Sequence, residues 1–175
     1  MAERVEVLLS EEKVDLKIRE MGAQISEDYA GKSIHLICIL KGASFFMCEL
    51  AKRITVPVSI DFMSLSSYGS DMNSSGEVKI KKDIEEPLEG RHVIVVEDIV
   101  DTGHTLSFLR ELLKDRGAAD VKLCTLLDKP DRRVVDIEAD YTGFKIPDEF
   151  VVGYGLDYAQ RYRNLPYIGA VKFTD

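Results

Sequence analysis

Three carboxylates, two threonine hydroxyls and a glycine follow directly after a short hydrophobic segment in the middle of the chain. Residues 93–96 are all apolar and β-branched, which predicts a buried strand. The polar residues that come next are Glu97, Asp98, Asp101, Thr102, Gly103, His104 and Thr105, and we expect the strand to reach the surface at Glu97 and Asp98. An apolar-periodic segment then begins at Leu106, which predicts a helix. A turn between a strand and a helix N-terminus presents backbone N–H groups to an anion, so we expect this turn to bind phosphate.

The carboxylates restrict which phosphate-bearing ligand would fit. A carboxylate repels a bare phosphate, so Glu97 and Asp98 suit the hydroxyls of a ribose, or a divalent cation that accompanies a diphosphate. Phosphoribosyl pyrophosphate carries a phosphate, a diol and a metal-bound diphosphate together, and it is the ligand that we predict. The alternative is a buried strand that ends in a solvated acidic turn without a ligand.

Two further strands are expected to bring polar residues to the same edge of a sheet. Residues 34–40 and 121–127 are apolar runs typical of buried strands, and they end next to Lys41-Gly42 and Lys129. In an open α/β sheet the ligand binds where the carboxyl ends of parallel strands meet. Gly42 would let the backbone approach the ligand closely. Taken on its own, Lys41 is better explained as a solvated loop lysine than as a ligand-binding residue.

The rest of the pattern supplies the scaffold. Ser10 can cap a helix that begins at Glu11 and ends near Gly31, and further helices are predicted over residues 44–53 and 106–117. The remaining strands are predicted at residues 56–63 and 78–82. Strands that alternate with helices predict an α/β fold with an open, mostly parallel sheet flanked by helices. No composition break divides the chain, so we expect a single domain over residues 1–175.

Composition limits the partners. The 23 basic and 31 acidic residues give a net charge of −8, which argues against a broad nucleic-acid or anionic-membrane surface. The N-terminus lacks the apolar core of a signal peptide, and no run is long enough to span a membrane. Cys38, Cys48 and Cys124 are widely spaced in apolar surroundings, which predicts three buried thiols in a reducing compartment. We therefore expect a cytoplasmic protein with small-molecule substrates.

Two segments resemble signatures of a known family. A hydrophobic strand followed by Glu-Asp-x-x-Asp-Thr-Gly-x-Thr, residues 93–105, is similar to the ligand motif of the type I phosphoribosyltransferases. The second segment is residues 150–158, Phe-Val-Val-Gly-Tyr-Gly-Leu-Asp-Tyr. It resembles the signature segment of one branch of that family, the hypoxanthine-guanine phosphoribosyltransferases. The resemblance covers residues 34–169. It implies the fold of that family, with a small C-terminal hood over about 140–175 together with the N-terminal segment, and a flexible lid loop over about 64–77.

The resemblance also implies a reaction. The enzyme would transfer the 5-phosphoribosyl group from phosphoribosyl pyrophosphate to N9 of hypoxanthine or guanine, giving IMP or GMP and pyrophosphate. This is a Mg²⁺-dependent glycosyltransferase (pentosyltransferase) reaction of purine salvage. The sugar passes through an oxocarbenium-like state, so catalysis would be mostly electrostatic. The resemblance further implies a homodimer or a homotetramer, and it leaves the choice between them and the number of Mg²⁺ ions open.

On the side of phosphoribosyl pyrophosphate, the family motif implies a role for each matching residue. The implied ligands are Lys41, Gly42, Glu97, Asp98, Asp101, Thr102, Gly103, His104, Thr105 and Arg163. Asp101 would be the catalytic residue, acting as general acid/base at purine N7. Glu97 and Asp98 would bind the ribose hydroxyls and reach a Mg²⁺. At His104 we expect the backbone N–H to matter more than the ring.

On the purine side, the implied residues are Lys129, Phe150, Val151 and Asp157. Lys129 would donate to the 6-oxo group, which selects hypoxanthine and guanine over adenine. Phe150 would stack on the purine, although its residue type alone is better explained by core packing. Val151 would offer backbone groups to the base edge, and Asp157 would also bind Mg²⁺. In the lid, Ser67 and Tyr68 match the tip found in the purine branch.

Three alternatives remain beside this interpretation. A xanthine-preferring transferase would differ only in the groups near Val151 and Asp157 that contact the 2-position of the base. A regulator that senses phosphoribosyl pyrophosphate and binds nucleic acid should carry a basic surface and could lack the acid at Asp101. An unrelated α/β phosphate-binding or receiver-like domain would leave the second signature, residues 150–158, unexplained.

Overall fold

The computed structural model describes residues 2–67 and 77–174, and within them the chain forms nine strands and three α-helices. The strands are β1 (Ala2–Leu9), β2 (Ile34–Leu40), β3 (Val58–Ser67), β4 (Val78–Lys82), β5 (His92–Val100), β6 (Asp120–Asp128), β7 (Tyr141–Lys145), β8 (Val151–Val152) and β9 (Ile168–Thr174). The helices are α1 (Glu11–Asp28), α2 (Ser44–Ala51) and α3 (His104–Asp115), and one turn of 3-10 helix covers Pro130–Arg132.

The main sheet has six strands in the order β4-β3-β2-β5-β6-β7. Strands β3, β2, β5, β6 and β7 run parallel, and β4 pairs with β3 in the antiparallel direction. The predicted open, mostly parallel α/β sheet is therefore confirmed. Because β2, β5 and β6 are neighbours, their carboxyl ends meet at one edge, which brings Lys41, Asp98 and Lys129 to the same side of the molecule.

Alternating residues of the central strands build two hydrophobic cores. Leu36 and Cys38 of β2 pack in one core with apolar residues of α1 and α2. Ile37 and Ile39 belong to the other core, which contains Leu109 of α3. Continuous apolar strands are expected for a parallel sheet whose two faces are both covered. The cores hold the sheet edge in place from both sides.

A second, three-stranded antiparallel sheet has the order β1-β9-β8. It joins the N-terminal segment to the C-terminal segment, as the predicted hood requires. Residues 141–145 were expected in the hood, but they form β7 and extend the main sheet beside β6. The hood strands are therefore β1, β8 and β9. Over the described ranges, no helix has both the length and the apolar character needed to cross a membrane.

Some boundaries differ from those predicted. Strand β3 continues to Ser67, which pairs with Val78, so residues 64–67 lie in a strand and not in the predicted loop. Tyr68 and the rest of that loop to residue 76 lie outside the described residues. Cys48 is exposed on α2, so the prediction of a buried thiol was wrong there, whereas Cys38 and Cys124 are buried. The apolar residues around Cys48 face the core, and its own position on the helix does not.

Candidate active site

A cavity of about 270 Å³ opens at the carboxyl edge of the main sheet. It is lined by the end of β5, the turn that follows it and the start of α3, with side chains from β2, β3 and β4. The lining residues are Ile39, Leu65, Val78, Glu97, Asp98, Ile99, Val100, Asp101, Thr102, Gly103, Thr105 and Leu106. The predicted acids and the predicted phosphate turn therefore surround one cavity.

Glu97 and Asp98 lie inside β5, which continues four residues beyond the apolar segment 93–96 and two residues beyond this acidic pair. Glu97 is only 7% exposed, so the expectation that the strand surfaces at this residue was wrong. Burial raises the pKa of the Glu97 carboxyl well above its ordinary value, and the neighbouring Asp98 carboxylate adds to this effect. Burial also raises the pKa of Asp98, against the N–H of Ile99 and the charge of Arg163. Such a pair favours a hydroxyl donor or a cation as its partner.

The turn after β5 has the geometry of an anion site. Gly103 is the N-cap of α3 with φ of +93°, a conformation that residues with a side chain rarely adopt. A Cβ at Gly103 would lie 2.7 Å from Ile137 Cγ2, so space also requires glycine here. Thr102 and Thr105 border the cavity beside the first N–H groups of α3, which its own backbone leaves unpaired. An anion bound here would receive these donors together with the positive end of the helix dipole.

The loop after β2 packs directly on the acid pair. The peptide bond between Leu40 and Lys41 is cis. A Cβ on Gly42 would overlap Asp98 Oδ2, so only glycine fits at this contact. On the other side, a Cβ on Gly155 would overlap the Gly42 carbonyl oxygen. The backbone at Gly42 is thus in close contact with the Asp98 side chain on one side and with the hood residue Gly155 on the other.

Arg163 supports this contact from the hood. Its Nη1 donates to the Gly155 carbonyl oxygen at 2.6 Å, and its Nη2 donates to Gln160 Oε1 at 3.1 Å. The same Nη2 lies 3.4 Å from Asp157 Oδ1, and Asp157 Oδ2 accepts the Gln160 N–H at 2.9 Å. Lys41 Nζ donates to Gln160 Oε1 at 3.5 Å. The two predicted cations of the pyrophosphate site, Lys41 and Arg163, therefore meet at Gln160.

The hood loop that carries these residues is conformationally strained. Positive φ angles occur at Tyr154, Ala159, Gln160 and Tyr162, between +51° and +77°. Each costs roughly 1–3 kcal/mol for a residue with a side chain, and such residues collect at functional sites. The strain is consistent with a loop that the surrounding structure holds in a fixed position.

The purine-side residues lie beyond the turn, directly after β6 and in the hood. The Lys129 side chain is 12% exposed, and its Nζ lies 3.5 Å from Asp148 Oδ1. Phe150 is 49% exposed and packs edge-on against Tyr158, with 5.5 Å between ring centroids. Val151 is buried in β8. Phe150 is therefore not a core residue, and about half of its surface is open to solvent.

The sequence profile of a family described as "Phosphoribosyl transferase domain" matches residues 5–159 of this chain. The chain belongs to the phosphoribosyl transferase family. The predicted type I phosphoribosyltransferase membership is confirmed by this match and by the relatives that follow.

These relatives cover nearly the whole chain. The hypoxanthine-guanine phosphoribosyltransferase of Streptococcus thermophilus is 55% identical over 166 residues, which cover 95% of this chain and 92% of that protein. The crystal structure of a hypoxanthine phosphoribosyltransferase from Staphylococcus aureus matches with a TM-score of 0.93 and 51% identity, over 97% of this chain and 94% of that one. A hypoxanthine-guanine phosphoribosyltransferase structure from Bacillus anthracis, with HEPES in the active site, has a TM-score of 0.92 and 45% identity, over 98% and 100%.

In this phosphoribosyl transferase, two residues that the sequence interpretation missed contact Asp101. Arg132 Nε donates to Asp101 Oδ1 at 2.9 Å, and Arg133 Nη1 donates to the Asp101 carbonyl oxygen at 2.7 Å. Arg133 also donates to the carboxylate of Asp128 and to the Ile137 carbonyl oxygen. A pair of adjacent arginines four residues after the polar end of a parallel strand was the available signal.

The acid pair fits the donor set that a Mg²⁺ ion uses. Within residues 2–67 and 77–174, no group of three or more His, Cys, Asp or Glu side chains is arranged to hold a metal without further ligands. Mg²⁺ is usually bound by one or two carboxylates together with substrate phosphates and water. Glu97 and Asp98 border the cavity and supply such carboxylates, so an ion that arrives with a diphosphate fits them.

The contact between Gly155 and Gly42 leads to a first prediction. We expect Gly155→Ala to lower the free energy of unfolding by about 2–4 kcal/mol, because the new Cβ is strained at φ of +98° and also overlaps backbone. Gly31→Ala is the matched control, since Gly31 has φ of +77° and no atom within 4 Å of the new Cβ. We expect that control to cost about 1 kcal/mol in urea unfolding. Equal losses in the two variants would show that the Gly155 contact is not tight.

Proposed function

We propose that this phosphoribosyl transferase transfers the 5-phosphoribosyl group from phosphoribosyl pyrophosphate to N9 of hypoxanthine or guanine. The products are IMP or GMP and pyrophosphate, and the reaction belongs to purine salvage. The observation that carries the proposal is the single cavity at the carboxyl edge, where an acid pair, an anion turn and Asp101 stand together. The names of the relatives, which are hypoxanthine and hypoxanthine-guanine phosphoribosyltransferases, support the choice of base.

The described residues can hold each part of phosphoribosyl pyrophosphate. The turn 102–105 binds the 5′-phosphate through backbone N–H groups and the two threonine hydroxyls. Glu97 and Asp98 accept hydrogen bonds from the ribose 2′- and 3′-hydroxyls, which offsets the cost of burying these carboxylates. Lys41 and Arg163 face the leaving diphosphate from the loop and the hood. The planar guanidinium of Arg163 suits bidentate binding to phosphate oxygens.

In the chemical step the protein acts through electrostatic stabilisation and one proton transfer, and it forms no covalent bond to the substrate. The ribose gains positive charge as the diphosphate departs, and the nearby carboxylates stabilise that charge. Asp101 exchanges the proton at purine N7, since a carboxylate at the edge of the cavity can act as general acid/base. Lys129 donates to the 6-oxo group, and an adenine amino group at the same place would leave that N–H donor of Lys129 without an acceptor.

A divalent cation completes this proposal. Glu97, Asp98 and Asp157 are the carboxylates that would hold Mg²⁺, together with diphosphate oxygens and water. When bound, Mg²⁺ would neutralise charge on the leaving diphosphate. We also propose that the enzyme acts in the cytoplasm as a homodimer or homotetramer, with small-molecule substrates and without nucleic-acid or membrane partners.

The experiment that tests the function uses the purified chain. It is mixed with phosphoribosyl pyrophosphate and Mg²⁺, and hypoxanthine, guanine, xanthine or adenine is added separately while nucleotide formation is followed by absorbance. We expect turnover with hypoxanthine and guanine, none with adenine, and loss of activity when EDTA removes Mg²⁺. The xanthine rate decides between the two 6-oxopurine alternatives. Binding of phosphoribosyl pyrophosphate without turnover of any purine would favour the sensor alternative and contradict the proposal.

A further inference from the structure

The segment after β6 is attached to the phosphate turn through its backbone. Lys129 N donates to the Val100 carbonyl oxygen at 2.9 Å. The N–H groups of Val134 and Val135 both donate to the Thr102 carbonyl oxygen, at 2.9 and 3.1 Å. These bonds place residues 129–135 on either side of Asp101. The side chains carried by this segment are therefore held at a defined distance from the catalytic carboxylate.

Arg132 lies between two carboxylates on that segment. Its Nε donates to Asp101 Oδ1 at 2.9 Å, and its Nη1 lies 3.7 Å from Asp148 Oδ2. The other oxygen of Asp148, Oδ1, lies 3.5 Å from Lys129 Nζ. Asp101, Arg132, Asp148 and Lys129 thus form a chain of alternating charge. The chain begins at the proposed general acid/base and ends at the proposed 6-oxo donor.

We propose that Arg132 is a positioning residue, which together with Asp148 orients Asp101 and Lys129 toward the same purine. The proposal rests on the function proposed above, because it assigns N7 to Asp101 and the 6-oxo group to Lys129. These two atoms lie on the same side of a 6-oxopurine, so their protein partners must be set relative to each other. A single guanidinium that contacts both carboxylates can do this, because its donors are fixed in one plane.

The exposure of the Asp101 side chain explains why such a restraint is needed. The Asp101 side chain is 45% exposed, and without a partner it would populate several rotamers. A charge-assisted hydrogen bond from Arg132 selects one of them. At the other end, Asp148 supplies the negative charge beside Lys129, and Arg132 attracts Asp148 in turn. Loss of Arg132 should therefore change the orientation of both Asp101 and Lys129, the two ends of this series of charges.

The test measures kcat and KM for hypoxanthine in Arg132→Met, with Mg²⁺ and phosphoribosyl pyrophosphate held at saturating concentrations. We expect kcat to fall by about 10-fold, because misplacement of a reacting group is costly, and KM for hypoxanthine to rise by about 3-fold. KM for phosphoribosyl pyrophosphate should stay within about twofold, since among the residues that the structure describes the Arg132 guanidinium forms hydrogen bonds and ion pairs with Asp101 and Asp148 and with none of residues 102–105.

Arg19→Met is the matched control. Arg19 also donates through Nε to a carboxylate, that of Asp15, at 2.9 Å, and its side chain is 54% exposed compared with 49% for Arg132. It lies on α1, away from the cavity. We expect its kinetic constants to remain within about twofold of those of the unsubstituted protein.

Two further variants separate positioning from a general loss of charge. Arg132→Lys keeps the charge but has one nitrogen, which can contact one carboxylate at a time, so we expect partial recovery of kcat. Asp148→Asn should raise KM for hypoxanthine. In the double variant with Arg132→Met, the combined loss should be smaller than the product of the single losses, because both changes interrupt the same chain.

The outcomes are distinct. If the unsubstituted protein turns over no purine, both the function and this proposal fail. If it is active and Arg132→Met has unchanged or increased kcat, only the positioning role is overturned. Strictly multiplicative losses in the double variant would likewise overturn the chain through Asp148.

Discussion

Asp101→Asn should reduce kcat by about 10²–10⁴-fold while the protein stays folded and binds phosphoribosyl pyrophosphate, because proton transfer by a positioned side chain contributes that much. The amide oxygen can still accept the Arg132 Nε–H bond that Asp101 Oδ1 accepts at 2.9 Å. The geometry of the turn is therefore kept, and only the ability to exchange the N7 proton is lost. Turnover of hypoxanthine and binding of phosphoribosyl pyrophosphate are measured on the same preparation.

Asp131→Asn is the control for this change. Asp131 is exposed on the one-turn helix beside Arg132, and it carries the same substitution without facing the cavity. We expect its kcat to remain within about twofold. If Asp101→Asn also kept near-normal turnover, another group would have to move the N7 proton, and the catalytic role assigned to Asp101 would be wrong.

Arg133→Met should lower the free energy of unfolding by about 3–5 kcal/mol, since removal of one partner leaves the other charge of a buried pair uncompensated. Arg133 and Asp128 have side chains that are only 15% and 9% exposed. The substitution also removes the donors to the carbonyl oxygens of Asp101 and Ile137. A loss of this size is a large part of the stability of an ordinary domain. Urea unfolding monitored by circular dichroism measures it.

Arg116→Met provides the comparison, because Arg116 makes a two-pronged contact with Asp83 on the surface, at 2.6 and 2.7 Å. An exposed ion pair contributes about 0–1 kcal/mol, so this variant should unfold almost normally. If Arg133→Met lost no more stability than Arg116→Met, the buried pair would not be holding the segment after β6. Pairing Arg133→Met with Asp128→Asn should recover part of the loss, since no unpaired charge then remains.

Local patterns were sufficient to predict the strands that carry the site. The apolar run 34–40 matches β2 residue for residue, and the runs at 93–96 and 121–127 fall inside β5 and β6. Apolar residues on both sides of these strands indicate a sheet covered by helices on two faces, which the two cores confirm. The membership of the family could also be predicted, because its two signatures are continuous in sequence.

Contacts between distant segments were not predictable in the same way. The exposure expected for Glu97 was wrong, because a polar side chain near a strand end is buried or exposed according to what packs over it. Strand β7 was assigned to the hood, since its five residues carry no signal that distinguishes pairing with β6 from pairing with β9. In the hood, β1 pairs with β9 from the opposite end of the chain.

The sequence by itself determined the class of sheet, the strand-turn-helix that forms the anion site, and the carboxylates that surround it. These features depend on periodicity and on residue types that are neighbours in the chain. Only the tertiary structure decided that Gly42 packs between Asp98 and Gly155, and that Arg132 lies between Asp101 and Asp148. Such contacts join residues 16 to 113 positions apart, and they exist only once the sheet has brought its strand ends together.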